Sequence, residues 1–174
     1  MIFISRSSQF LKILNFLFLF STVLIQVSKG QVAESSELFR ELATKDSLLF
    51  DQGFNECNLT ETESLISHNL EFYHDVSGVQ DREMFFNAIR ENICSGVPQK
   101  PIRKLVEGSL EVYPLRNQGE IYGAIQMGVH DFFIKESGKE LYQTGSAKFT
   151  HVWILEEMDW KLKTVLSYDH QSPE

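Results

Sequence analysis

A few acids, histidines and tyrosines are the groups with which this chain could move a proton or hold a polar atom. Asp46 is the sharpest case, four residues after Leu42 and four before Phe50, on the apolar stripe of its own helical pattern. A carboxylate there must face a pocket, be paired, or hold its proton more tightly than usual. The alternative is that helix curvature turns it to solvent, or that it bonds a nearby backbone amide. Farther along, pairing Leu155 with Trp160 across Glu156–Asp159 sets His151 opposite Thr164 and Phe149 opposite Leu166. That register predicts one sheet face carrying Phe149, His151, Trp153, Leu162, Leu166, Tyr168 and His170. Histidine is the acid–base group nearest neutral pH, and Tyr168 could donate to a carbonyl oxygen. The plain alternative is that these are satisfied core or rim residues. The opposite face carries Lys148, Thr150, Lys161, Lys163, Ser167 and Asp169, a mixture that suits solvent or a second copy.

His74-Asp75 and His130-Asp131 are adjacent pairs, so within a strand their side chains diverge and neither is a self-contained dyad. His130 shares its face with Tyr122 and Gln126, a position that suits a pocket mouth. A zinc site from His74, His130, His151 and His170 lacks any local spacing signature, and no metal is expected. Phosphate-binding loops, nucleophile elbows and dinucleotide fingerprints are absent from the sequence, so no cofactor is expected either.

The N-terminus has a different logic. Arg6 and Lys12 precede the apolar run from Ile13 to Val27, and Ser28-Lys29-Gly30 supplies small residues for cleavage. This reads as a secretory signal peptide over residues 1–30, with Gln31 the first mature residue and a secreted or periplasmic location. The alternative, a retained anchor, is shorter than the roughly 20 apolar residues a spanning helix needs. No stable membrane anchor is expected after cleavage. Residues 1–30 hold three cations (Arg6, Lys12, Lys29) and no acid, so the mature chain is still more negative than the −8 of the whole. Such a charge disfavours nucleic acid and anionic lipid as partners. Cys57 and Cys94 are the only two cysteines. In an oxidising compartment they point to a single disulfide, against the alternative of two buried thiols. Asn58-Leu59-Thr60 is also a glycosylation sequon, relevant only in a eukaryotic secretory pathway.

Residues 31–174 read as one domain, without repeats or a splitting linker. Ser35 or Ser36 caps a first helix with its stripe at Leu38, Phe39, Leu42, Leu49, Phe50 and Phe54. Asn58-Leu59-Thr60-Glu61 is a capping-box pattern for a short second helix. Leu70–His74 reads as a strand, and Asp81 caps a third helix that Gly96 closes. Four β-rich runs follow, Lys104–Leu115, Ile121–Lys135, Glu140–Leu155 and Trp160–Tyr168, separated by hairpin-length gaps. The expectation is an α+β fold, three helices packed on the concave face of a curved antiparallel sheet.

This order resembles the cone of the nuclear transport factor 2-like superfamily, and more closely its SnoaL-like branch, domain of unknown function 4440. The landmarks are Asp46, the strand Phe72-Tyr73-His74-Asp75 leading to Gly78, and the closing hairpin from His151-Val152-Trp153 to Tyr168-Asp169-His170. The resemblance covers about residues 36–171. One departure is Cys57-Asn58, where relatives carry Gly-Asp. The resemblance implies a pocket between helices and sheet, with Asp46, Tyr73, His130, His151, Trp153, Tyr168 and His170 as candidate lining residues. It also implies a small apolar or aromatic ligand, and a homodimer through an outer strip of Val152, Ile154 and Val165. Two functions stay open: a secreted small-molecule-binding domain, or an isomerase, dehydratase or hydrolase using a pocket Asp/His pair.

Overall fold

The computed structural model describes residues 30–173, so the signal segment, Gly30 apart, lies outside the described residues. Helix α1 spans Glu37–Ser47 and runs directly into a π-helical segment, Leu48–Asn55. The Ser36 hydroxyl accepts from the Phe39 amide and starts α1. Helix α2 covers Leu59–Leu65; Asn58 occupies its cap position, but its side chain makes no capping bond. Strands β1 (Ile66–His74) and β2 (Gly78–Gln80) form a hairpin. Helix α3 (Arg82–Ala88), capped by Asp81 on the Met84 amide, continues into a π turn at Ile89–Ile93. Gly96, at φ +77°, then turns the chain out of it.

Strands β3 (Gln99–Leu105), β4 (Glu111–Asn117), β5 (Glu120–Glu136), β6 (Tyr142–Glu156) and β7 (Asp159–Gln171) complete a curved, unclosed sheet. Its order is β2-β1-β7-β6-β5-β3, with β4 also paired to β5. The α+β expectation therefore holds, with two differences. The run read as one strand over Lys104–Leu115 is two strands. A turn at Val106–Ser109, with Gly108 at φ +73°, folds them so that β3 pairs the far half of β5 and β4 the near half. In addition, β1 joins β7 in parallel, whereas every other pairing is antiparallel.

The inner face of the sheet and the helices share one core, including Leu42, Leu49, Leu65, Phe86, Val112, Trp153, Leu162 and Val165. Gly53 is obligatory where α1's extension crosses α2: a Cβ there would lie 2.2 Å from Thr62 Oγ1. The Cys57–Cys94 disulfide ties the end of the run begun by α1 to the end of the run begun by α3, as the two-cysteine reading expects.

Candidate functional site

Between the concave sheet and the two helix–π runs lies a cavity of about 350 Å³. The π segments supply Leu49, Phe50, Phe54, Ile89 and Ile93, and the strands supply Phe72, Phe132, Phe149, Leu162 and Val165. The polar lining is sparse: His74, Ser77, Gln80, Asn92, His130, His151 and Ser167. A wall of this kind suits a flat apolar molecule held by a few directed hydrogen bonds.

Behind the wall runs a buried polar chain. Arg103, on β3 and 1 % exposed, donates from Nη1 and Nη2 to the Asp46 carboxylate at 2.7 and 3.1 Å. Its guanidinium lies 3.9 Å from the Phe50 ring centre. Asn55 clips the Arg103 backbone from both sides, donating to its carbonyl and accepting from its amide, each at 2.8 Å. Arg103 Nε donates to His130 Nδ1 at 3.3 Å. A guanidinium has no lone pair to offer, so Nδ1 must accept and the His130 proton sits on Nε2. That nitrogen is buried and has no partner among the described residues. Burial, helped by the Arg103 charge, drops the His130 pKa to about 3, so the ring is neutral under physiological conditions.

His151 has the opposite polarity. Gln126 is oriented by donating to the Leu42 carbonyl at 3.0 Å, and its Oε1 accepts from Trp153 Nε1 at 2.8 Å. The same Oε1 lies 3.2 Å from His151 Nδ1, which must therefore be the donor. The lone pair of His151 is left on Nε2. Burial, then the Arg103 charge, holds this imidazole well below its ordinary pKa. The cavity wall thus holds two uncharged rings, His130 with its N–H on Nε2, buried within the wall, and His151 with its lone pair on Nε2. Burial pushes the Asp46 carboxyl up while its bond to Arg103 opposes that shift; the group is 2 % exposed and does not line the cavity.

A second polar cluster sits at the rim, where β1 and β7 end side by side. Asp75 Oδ1 bonds His170 Nδ1 at 2.5 Å, and Asp75 Oδ2 accepts from the His170 amide at 3.3 Å. The His74 ring stacks on His170 with centroids 4.4 Å apart. His74 Nδ1 accepts from the Val76 and Ser77 amides at 3.1 and 3.2 Å, which puts the proton of the neutral ring on Nε2. Burial, followed by the neighbouring His170, lowers the His74 pKa, with Asp75 opposing. Burial works to raise Asp75, but the hydrogen bonds from His170 outweigh it and the carboxyl lies below its usual range. The potential ligand atoms of His74, Asp75 and His170 fall within 4.8 Å of one another. Yet the His74 Nδ1 lone pair is taken by two amides, and His170 Nδ1 is committed to Asp75. The arrangement suits a held proton better than a cation.

The structure separates the candidates that the sequence grouped. His130 and His151 line the cavity, Trp153 lies beneath it as an anchor for Gln126, and His170 stands at the rim. The face expected for β7 needs correction. Trp153 pairs Leu162 but Val152 pairs Thr164, so Lys163 is an extra residue and His151 lies opposite Val165. Val165 and Ser167 consequently face inward, while Leu166 and Tyr168 face outward. Tyr168 lies opposite Lys148, and Tyr73, 43 % exposed, lies opposite Leu166; neither tyrosine lines the cavity. Val165 also leaves the expected outer strip. A second irregularity, with Asp169 at φ +60°, restores His170 to the inner side beside Phe132. Sequence reading missed Arg103, and it placed Gln126 on the His130 face without its role of orienting His151. Only the need of Asp46 for a partner hinted at the first, since an arginine between Ile102 and Lys104 on a short strand reads as surface.

No protein-family model matches the chain, and no curated protein sequence does. Solved structures do match its fold. ActVI-ORFA from Streptomyces coelicolor superposes with a TM-score of 0.62 at 10 % identity, covering 78 % of this chain and 98 % of its own. A nuclear transport factor 2-like protein from Cytophaga hutchinsonii gives 0.56 at 14 % identity, covering 76 % and 97 %. A putative Ca/calmodulin-dependent kinase II association domain from Exiguobacterium sibiricum gives 0.58 at 15 % identity, covering 82 % and 100 %. At these identities the likeness is one of fold, and that fold is the nuclear transport factor 2-like one that the landmarks of the sequence imply.

Proposed function

From a nuclear transport factor 2-like fold closed around an apolar cavity, we infer that this protein binds a small, flat, uncharged ligand. The observation that carries this reading is the pair of neutral histidines, His130 and His151, inside a largely apolar wall. His151 Nε2 carries a lone pair and His130 Nε2–H lies buried just within the wall, so a ring system bearing a hydroxyl or carbonyl suits this lining. A charged ligand would leave water for a site whose buried ion pair, Asp46 and Arg103, is already neutralised within itself.

We place this binding protein outside the cytoplasm. The signal-like N-terminus and the Cys57–Cys94 disulfide support a secreted or periplasmic location. A homodimer through the outer sheet face is the accompanying proposal, with Val152, Ile154 and Leu166 supplying apolar surface; sedimentation as a strict monomer at micromolar concentration would exclude it. Native mass spectrometry of protein purified from its own compartment tests the binding reading, together with Nile red titration of stripped protein. Added mass or saturable dye fluorescence that weakens at least fivefold in His130→Phe is expected. No added mass and no saturable dye binding would overturn it.

A further inference from the structure

We propose that Asn58 is an N-glycosylation site, so that the exported chain carries an N-linked oligosaccharide on its helix layer. The inference rests on the export reading and narrows it to a eukaryotic secretory pathway, where the triplet Asn58-Leu59-Thr60 is read.

Three observations lead there. Asn58-Leu59-Thr60 is the one Asn-x-Ser/Thr triplet in the whole sequence, and its middle residue is not proline. Asn58 stands in the turn between the first π segment and α2, and both Asn58 and Thr60 are exposed. Its backbone is held, the amide donating to the Gln52 carbonyl at 2.9 Å and the carbonyl accepting from Thr62 Oγ1 at 3.3 Å. Its side chain is not. Asparagine is among the best helix-capping residues, and the pattern from Asn58 to Glu61 is that of a capped helix. Yet at φ −84° and ψ 85° Asn58 makes no capping bond, so a sugar on its Nδ2 would displace none. The fold draws nothing from this side chain, which stands outward at the start of α2.

Competing asparagines are already engaged. Asn55 and Asn92 head Asn-x-Cys triplets, but Cys57 and Cys94 are joined to each other. Asn55 also bonds the Arg103 backbone, and Asn92 lines the cavity. Asn58 does not line the cavity, and it lies in the helix layer, so a glycan there leaves the outer sheet face free. Chain order helps as well. Cys94 follows Cys57 by 37 residues, so Asn58 crosses the membrane before the disulfide beside it can close. The transfer balances with a lipid pyrophosphate-linked oligosaccharide as donor. The bond from sugar C1 to the phosphate oxygen breaks, a C1–N bond to Asn58 Nδ2 forms, and the amide proton leaves with the lipid pyrophosphate.

Protein isolated from its own compartment is digested with peptide-N-glycosidase in heavy-oxygen water and mapped by mass spectrometry. The expected result is a loss of mass on digestion and a heavy-oxygen aspartate at position 58 of the peptide map. The full chain, N-terminal segment included, is also expressed in cultured human cells together with three variants. Thr60→Ser should keep the glycan, because the hydroxyl that the transferase reads is still there, whereas Thr60→Ala and Asn58→Gln should lose it. Nile red binding to the native protein should be unchanged by deglycosylation. If a variant misfolds and is retained, the labelled aspartate in the native protein still decides. Native protein recovered outside the cytoplasm with Asn58 bare overturns the glycan and leaves the export and binding readings intact. A mass loss that persists in Asn58→Gln overturns the assignment to Asn58. Wild type found unmodified in the cytosol overturns the glycan and the export reading together.

Discussion

Replacing Arg103 by methionine tests whether the buried ion pair is the keystone of the cavity wall. In the native protein Asp46 is 2 % exposed and Arg103 1 %, and the two share a pair of hydrogen bonds at 2.7 and 3.1 Å. Arg103→Met keeps the apolar stem but leaves the carboxylate without a cation, so breaking the pair should cost about 3–5 kcal/mol at neutral pH. It also removes the donor to His130 Nδ1 and the cation above Phe50. The loss should depend on pH with a definite sign. Burial alone already raises the Asp46 pKa, and without Arg103 nothing opposes it. A carboxyl whose pKa is raised in the folded state destabilises above that folded value. The penalty fades as pH falls toward the unfolded value near 4, by about 1.4 kcal/mol for each pH unit between the two. The variant's deficit against wild type should therefore be largest at pH 7–8 and shrink by pH 4.5. Urea unfolding with the disulfide intact, followed by the fluorescence of buried Trp153 and Trp160, measures it. The double variant Asp46→Leu, Arg103→Met should recover most of the loss. A deficit below about 1 kcal/mol, or one unchanged between pH 4.5 and 8, would refute the reasoning.

Reducing the Cys57–Cys94 bridge, which spans 37 residues, should destabilise by about 4 kcal/mol in the chain-entropy treatment and leave the far-ultraviolet circular dichroism spectrum unchanged; a loss under about 1 kcal/mol would contradict that. Gly53→Ala should cost about 1–3 kcal/mol, because its Cβ meets Thr62 Oγ1 at 2.2 Å, and Thr62→Ala in the same chain should relieve part of it; additive losses in the double variant would place the strain elsewhere. His130 should stay neutral in an NMR titration down to pH 5, with its proton on Nε2, consistent with a pKa of about 3; titration near pH 6 would dismantle the neutral-donor argument.

The fold was largely legible because its signals are local. Ser36, Asp81 and Gly96 mark helix boundaries through backbone chemistry, and the gaps before β5, β6 and β7 have hairpin length. The site was legible only by residue type. Alternation along β7 gave the wrong face for Leu166 and Tyr168 because Lys163 is an extra residue against β6, and a side-chain period of two inverts at every such insertion. The Asp75–His170 pair was hidden for another reason. Adjacent residues diverge along a strand, so His74-Asp75 looked inert, and only the parallel alignment of β1 with β7 brings His170, 95 positions away, onto Asp75. Arg103 carried no pattern at all, since its burial depends on where α1 places Asp46.

These placements divide the labour of the site by charge. The interior keeps Asp46 and Arg103 as a neutral pair, and the guanidinium faces His130 through a donor, so both cavity histidines are driven away from protonation. A ring so held is a poor base but a dependable hydrogen-bonding group, because no physiological pH change alters what it offers. Among the cavity and rim histidines, His170 is the one hydrogen-bonded to a carboxylate, that of Asp75. Moving that carboxylate inward would leave an unpaired charge in the apolar wall, and moving Arg103 outward would remove one cause of His130's neutrality, second to burial. A charge-neutral interior and a paired carboxylate at the rim follow from the same electrostatic constraint.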